Sequence, residues 1–211
     1  MKKGICFIVG AGEWYKENFS PKTDDCVIAV DGGYDRIQEL GIIPHAVIGD
    51  FDSIKKEPVH DNIIRLNPVK DETDMLYAIQ YAKEQGYKKI VIFGATGGSR
   101  ISHTVANIQT LLCFKELDCI LIDKEEAMCV LTNGEITFSE ECKGYLSVFS
   151  LTDCCEGVYE KGLKYSLENA RLTNQFPIGV SNEFVGQKSC ISVKKGSLLL
   201  VMEKQILLNR I

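Results

Sequence analysis

Short apolar runs alternate with amphipathic stretches over the first 124 residues. The runs at 4–9, 26–30, 45–49, 62–66, 89–93 and 119–122 are β-rich and end in turn residues or acids, which predicts strands. Residues 34–40, 73–85 and 102–117 lie between them and predict helices. In the second of these, Met75, Ile79 and Ala82 form a stripe with Leu76 and Ala78 beside it, and Gly86 stops the helix. In the third, Val105, Ile108, Leu111 and Leu112 repeat the pattern. Strand alternating with helix implies an α/β domain with a mostly parallel sheet and flanking helices.

The pattern changes after residue 124. Asn133-Gly134 between 128–131 and 136–138 predicts a hairpin, because Asn-Gly fits a type I′ turn. Further short strands are expected at 145–151, 190–193 and 198–202, with no convincing helix. The expected architecture is a Rossmann-like domain over residues 1–124 followed by an all-β sandwich over 125–211.

Composition narrows the class. The 211 residues are 45% hydrophobic, enough for one large core or two small ones. A formal charge of −5 argues against a nucleic-acid backbone as partner, and no apolar run is long enough to span a bilayer. The expectation is a soluble cytoplasmic protein with no membrane or nucleic-acid partner. Nine cysteines without C-x-x-C spacing read as reduced core thiols, and three histidines make zinc an unpromising cofactor.

The chemistry concentrates in acids. Asp50 and Asp52 lie two apart after an apolar run, and Asp71 and Asp74 lie three apart at the start of a predicted helix, so each pair presents two carboxylates in one direction. An alternative reading is that these are turn acids, with Asp71 capping the helix. Against it, Asp31-Gly32-Gly33 ends another strand, and acids at the carboxyl ends of buried strands stand where open α/β sheets bind ligands. Oxygen-only clusters suit Mg²⁺ held together with substrate phosphates, which points to phosphoryl or pyrophosphoryl transfer. The loop 94–100 joins a strand to a helix and offers backbone N–H groups, with Arg100 as a fork of donors. Its spacing matches neither of the common phosphate-binding glycine motifs. His103 reads as a structural histidine or a base, and Ser181-Asn182 as a turn.

Taken together, Asp31-Gly32-Gly33, Gly49-Asp50-Phe51-Asp52-Ser53, Lys70-Asp71-Glu72-Thr73-Asp74, the segment from Gly97 through Arg100 to His103, Gly162-Leu163-Lys164-Tyr165 and Ser181-Asn182-Glu183 resemble the thiamin pyrophosphokinase family in order and spacing. The resemblance implies transfer of a pyrophosphoryl group from ATP to the hydroxyl of thiamin, giving thiamin diphosphate and AMP. It implies Mg²⁺ held by Asp50, Asp52 and Asp74 with support from Asp71. ATP would meet Asp31, Gly32, Gly97, Gly98, Arg100 and His103, while thiamin would meet Lys70, Asp74, Ser181 and Asn182. It further implies a homodimer with shared active sites. Where the family carries an aspartate in the third motif, this chain has Ser102. Two other readings stand beside this one: an Mg²⁺-dependent pyrophosphoryl transferase acting on a pterin-type alcohol, and a non-catalytic nucleotide- or thiamin-binding module.

Overall fold

Six short strands, all paired in parallel, organise the first half of the chain in the computed structural model, which describes residues 4–52, 57–69, 71–98 and 101–211. The chain divides into two units, Met1–Lys124 and Glu125–Ile211. In the first, β1 (Cys6–Val9), β2 (Cys26–Val30), β3 (Ala46–Gly49), β4 (Ile63–Arg65), β5 (Lys89–Phe93) and β6 (Asp118–Ile122) lie in the order β6-β5-β1-β2-β3-β4. β1, β2 and β3 are buried at every position, which is why they read as unbroken apolar runs.

Three helices cross between these strands: α1 (Gly33–Glu39), α2 (Asp74–Glu84) and α3 (Ile101–Cys113). Thr73 caps α2, its hydroxyl accepting from the Leu76 N–H at 3.1 Å; Asp71 does not fill that place. The face of α3 differs from the expected stripe. Leu111 is buried, but Val105 is 53% exposed and Asn107 and Thr110 are buried instead. Asn107 is drawn inward because its side-chain amide donates to the Ala95 carbonyl at 2.7 Å, tying the helix to the loop after β5.

The sheet order reverses at β1, which pairs with β2 on one side and β5 on the other. At such a reversal the loops leaving the two strands diverge and open a crevice at their carboxyl ends. Here those loops are 10–12 and 94–98, joined by backbone bonds from Gly12 N–H to Gly94 O (2.7 Å) and Glu13 N–H to Thr96 O (2.8 Å).

The second unit holds two four-stranded antiparallel arrangements. One runs β12 (Gly179–Glu183), β9 (Tyr145–Ser150), β14 (Ser197–Glu203), β7 (Glu126–Thr132); the other runs β11 (Leu167–Thr173), β10 (Cys154–Lys161), β13 (Ser189–Ser192), β8 (Glu135–Phe138). A short helix, α4 (Lys204–Leu208), follows β14, contrary to the expectation of no helix. The expected Asn-Gly hairpin is also corrected. β7 pairs with β14 and β8 with β13, so Asn133-Gly134 carries the chain from one sheet to the other. Asn133 alone takes a positive φ of 45°, and its side chain accepts from the Gly196 N–H at 2.9 Å. That bond staples this crossing to the return crossing between β13 and β14.

Candidate active site

A cavity of about 350 Å³ opens at the crevice of the first unit. Its lining includes Gly10, Gly12, Asp31, Asp50, Asp52 and Asp74, with Gly97, Gly98 and His103 on the other side. Asp31 follows β2, Asp50 and Asp52 follow β3, and Asp74 opens α2, so three successive crossovers deliver one acid group each.

The backbone is bent to do this. Asp31 has φ 47° and Phe51 φ 62°, both in the left-handed region, where Asp is tolerated and a bulky aromatic side chain is strained. Phe51 is nonetheless buried, with the Arg65 guanidinium 5.3 Å from its ring centre, which holds the turn that aims Asp50 and Asp52 into the cavity. Gly49 leaves room for Asp31: a Cβ there would stand 1.9 Å from Asp31 Oδ1. Gly33 likewise lets α1 start against β1, since a Cβ would meet the Val9 carbonyl at 1.9 Å. From α1, Arg36 donates to the carbonyls of Gly10 and Ala11, both at 3.0 Å, and fixes the first loop of the crevice.

Asp31, Asp50 and Asp74 each offer a carboxylate oxygen, and these oxygens lie within 4.8 Å of one another. Asp31 Oδ1 is buried with no hydrogen-bond partner among the described residues. Burial first, then the charge and hydrogen bond of Asp74 and the charge of Asp50, push the Asp31 carboxyl up to about 7. A buried, orphaned oxygen facing two further carboxylates is a donor set for a hard divalent cation, so these residues fit Mg²⁺.

On the glycine side, Gly94, Gly97 and Gly98 all have positive φ, between 62° and 78°. The Tyr15 hydroxyl and then the Gly98 N–H hold the exposed Glu13 carboxyl below its usual range, so Glu13 occupies the loop's donor at Gly98. Thr96 Oγ1 donates to Asp123, which anchors the loop from behind.

The structure therefore gathers Asp31, Asp50, Asp52, Asp74, Gly97, Gly98 and His103 around one cavity. Asp52 stands outside the close trio, while Asp31, expected on the nucleotide, stands inside it. Asp71 and Ser102 are exposed, and neither Asp71, Gly32 nor Ser102 is in the lining. Lys70, Ser53 and Arg100 lie outside the described residues. The lining also brings in Gly10, Ala11, Gly12 and Glu72, which sequence reasoning missed. The Gly-x-Gly directly after the first strand was the available signal for the first three.

Ser181 and Asn182 belong to the second unit and lie in β12 rather than in a free turn. The register shifts between Gly179 and Asn182, and Ser181 takes φ 56° with its side chain exposed. Asn182 is 4% exposed. Its side-chain oxygen accepts from the Tyr165 and Glu183 N–H groups, both at 2.9 Å. Its side-chain nitrogen donates to Glu160 and to the Tyr165 carbonyl, both at 2.6 Å. That bonding saturates the amide.

Comparison with known proteins bears on both units. The family described as "Thiamin pyrophosphokinase, catalytic domain" matches residues 20–122, and "Thiamin pyrophosphokinase, vitamin B1 binding domain" matches residues 133–198. The chain is similar to a thiamine pyrophosphokinase of Bacillus subtilis, 32% identical over 184 residues, covering 82% of this chain and 85% of that one. Among solved structures, a Bacillus subtilis thiamine pyrophosphokinase superposes with a TM-score of 0.84 at 29% identity, covering 94% of this chain and 98% of that one. A Geobacillus thermodenitrificans thiamin pyrophosphokinase follows with a TM-score of 0.82 at 27% identity, covering 94% and 97%.

Proposed function

We propose a division of labour for this chain, which belongs to the thiamin pyrophosphokinase family: the first unit binds ATP and Mg²⁺, and the second binds thiamin. The enzyme transfers the pyrophosphoryl group of ATP to the hydroxyl of thiamin, giving thiamin diphosphate and AMP. The comparisons favour thiamin over a pterin-type alcohol as acceptor, and an enzyme over a binding module. The observation that carries the division of labour is the carboxylate trio beside the glycine loop in one cavity of the first unit.

In this reading Asp31, Asp50 and Asp74 hold the metal, and Asp52 and Asp71 complete or support its surroundings. Mg²⁺ held there would supply the positive charge that offsets the charge of the phosphates. The chain's own groups do the rest. Gly10, Gly12, Gly97 and Gly98 let the backbone approach the triphosphate closely, and Arg36 keeps the Gly10 and Ala11 carbonyls turned away from it. Gly32, Arg100 and His103 contact the nucleotide. Lys70 and Asp74 meet the acceptor from the first unit, and Ser181 meets it from the second, with Asn182 holding that strand in shape. The primary alcohol then needs mainly orientation. The second unit's paired antiparallel sheets are read as a β-sandwich and the first unit as Rossmann-like.

The assembly proposed is a two-fold homodimer in which the acids of one subunit serve thiamin bound to the partner. Supporting it, β12 is an edge strand, and Phe176, Ile178 and Val180 are exposed apolar side chains in or beside it. A cytoplasmic setting accords with nine free cysteines, and among the described residues no helix is long and apolar enough to cross a membrane.

The reaction is tested by incubating the enzyme with ATP, Mg²⁺ and thiamin and resolving the products. Thiamin diphosphate and AMP in equal amounts are expected. ADP with thiamin monophosphate would overturn the assignment.

A further inference from the structure

The second unit buries a carboxyl group that no ion pair explains. Glu160, in β10, is 1% exposed, and no cation pairs with it among the described residues. One oxygen accepts from Asn182 at 2.6 Å; the other, Oε1, is buried with no partner among the described residues, as is the nearby strand's Ser189 hydroxyl. Burial pushes the Glu160 carboxyl up, and the Asn182 N–H offsets this in part. Burying a carboxyl group with one oxygen unsatisfied costs the fold stability. Its presence asks for something other than packing.

Its one partner shows what that is. Asn182 uses both amide hydrogens and both lone pairs, joining Glu160 to the backbone N–H and carbonyl of Tyr165 and to the N–H of Glu183. Around it, residues 163–165 run beside 182–184: Leu163 bridges to Phe184, and Lys164 N–H donates to the Glu183 carbonyl at 3.0 Å. The Lys164 ammonium reaches the Glu183 carboxylate at 2.7 Å on the outside. Ser181, next to the saturated asparagine, is held at φ 56°, a conformation serine adopts only when its surroundings fix it.

We propose that Glu160 is a positioning residue for thiamin binding: through Asn182 it locks the 163–165 segment to β12 and so fixes the exposed Ser181 at the substrate. The proposal rests on the reading that β12 faces thiamin. Glu160 never touches the substrate. A neutral group that can accept from Asn182 serves as well as the acid, because burial already favours the uncharged form. A group unable to accept leaves an Asn182 N–H unpaired in the interior, and the bracket loosens.

Steady-state kinetics on full-length Glu160→Gln, Glu160→Leu and Asn182→Ala test this. Glu160→Gln should stay within about twofold of the parent enzyme in every parameter. Glu160→Leu and Asn182→Ala should each raise the KM for thiamin about tenfold or more, with kcat and the KM for ATP within about twofold, as expected when binding alone is lost. Should Glu160→Leu not fold, Glu160→Asp, which keeps the acid but shortens its reach, carries the same expectation. An Asn182→Ala effect without a Glu160→Leu effect overturns the role of Glu160 and leaves β12 at thiamin. An unchanged KM in both overturns both. Parallel losses in kcat and in both KM values, in the Gln variant as in the Leu variant, would reduce Glu160 to a fold-stability residue and overturn the proposal.

Discussion

Asp31 is held in surroundings far from those of a carboxylate in water. Burial, and then Asp74 and Asp50, push its carboxyl up to about 7, against roughly 3.9 in an unfolded chain. The sign follows from proton binding: between these values the folded state holds a proton that the unfolded state has lost. Asp31 therefore contributes stability that is complete below about pH 4 and disappears as pH rises through about 7. We expect the stability difference between the parent protein and Asp31→Asn, measured by thermal melting without metal, to shift steadily in the variant's favour from pH 4 to 7 and level off above. At pH 8 added Mg²⁺ should stabilise the parent and leave the variant almost unmoved if, as proposed, the cation binds the ionised trio. If these acids hold the metal as proposed, activity in Asp31→Asn, Asp50→Asn and Asp74→Asn should fall by about a hundredfold or more, since loss of a ligand exceeds the 10–100-fold typical of its outer partners. A flat stability difference across this pH range would remove Asp31 from the trio's electrostatics.

At the scale of elements, the ends of strands set what the acids can do. Gly49 closes β3 where a side chain would collide with Asp31, so Gly49→Ala should displace that carboxylate instead of merely straining the strand. The expected result is a stability loss of about 1–3 kcal/mol by urea titration together with weakened Mg²⁺ binding. Full Mg²⁺ affinity in a destabilised variant would confine the glycine's role to packing. The first unit's strands were legible within a residue or two because all but β4 are largely buried apolar runs closed by a glycine or an acid; β4 is half-buried and ends in Arg65. β10 and β11 were not. β10 places Glu160 in the interior and breaks its alternation at Gly157, where φ is 64° and the register shifts. β11, reading Leu-Glu-Asn-Ala-Arg-Leu-Thr, is a mostly polar edge strand. Asn133-Gly134 carried a true turn signal, yet which strands flank a turn does not say whether they pair. The acids were legible by spacing, whereas their grouping was not, because Asp31 and Asp50 meet only through the parallel pairing of β2 with β3.

The whole molecule poses the question of whether one chain suffices for a working site. In a two-fold dimer with each site built from the first unit of one subunit and the second unit of the other, the composite site occurs twice. Asp74→Asn damages the first contribution and Asn182→Ala the second, the latter assayed at thiamin far below the variant's KM so that it too is nearly silent. Mixed after subunit exchange, a hybrid dimer has one site carrying both defects and one carrying neither. Random exchange makes about half of all dimers hybrids, so activity should recover to roughly one quarter of the parent level if the sites act independently. Sites formed within a single chain would each keep one defect and recover nothing. Exchange is verified separately by mass-tagged subunits. Exchange without recovery, or a monomer in sedimentation at assay concentration, would refute the shared site, while the chemistry assigned to the trio would remain to be judged by its own products.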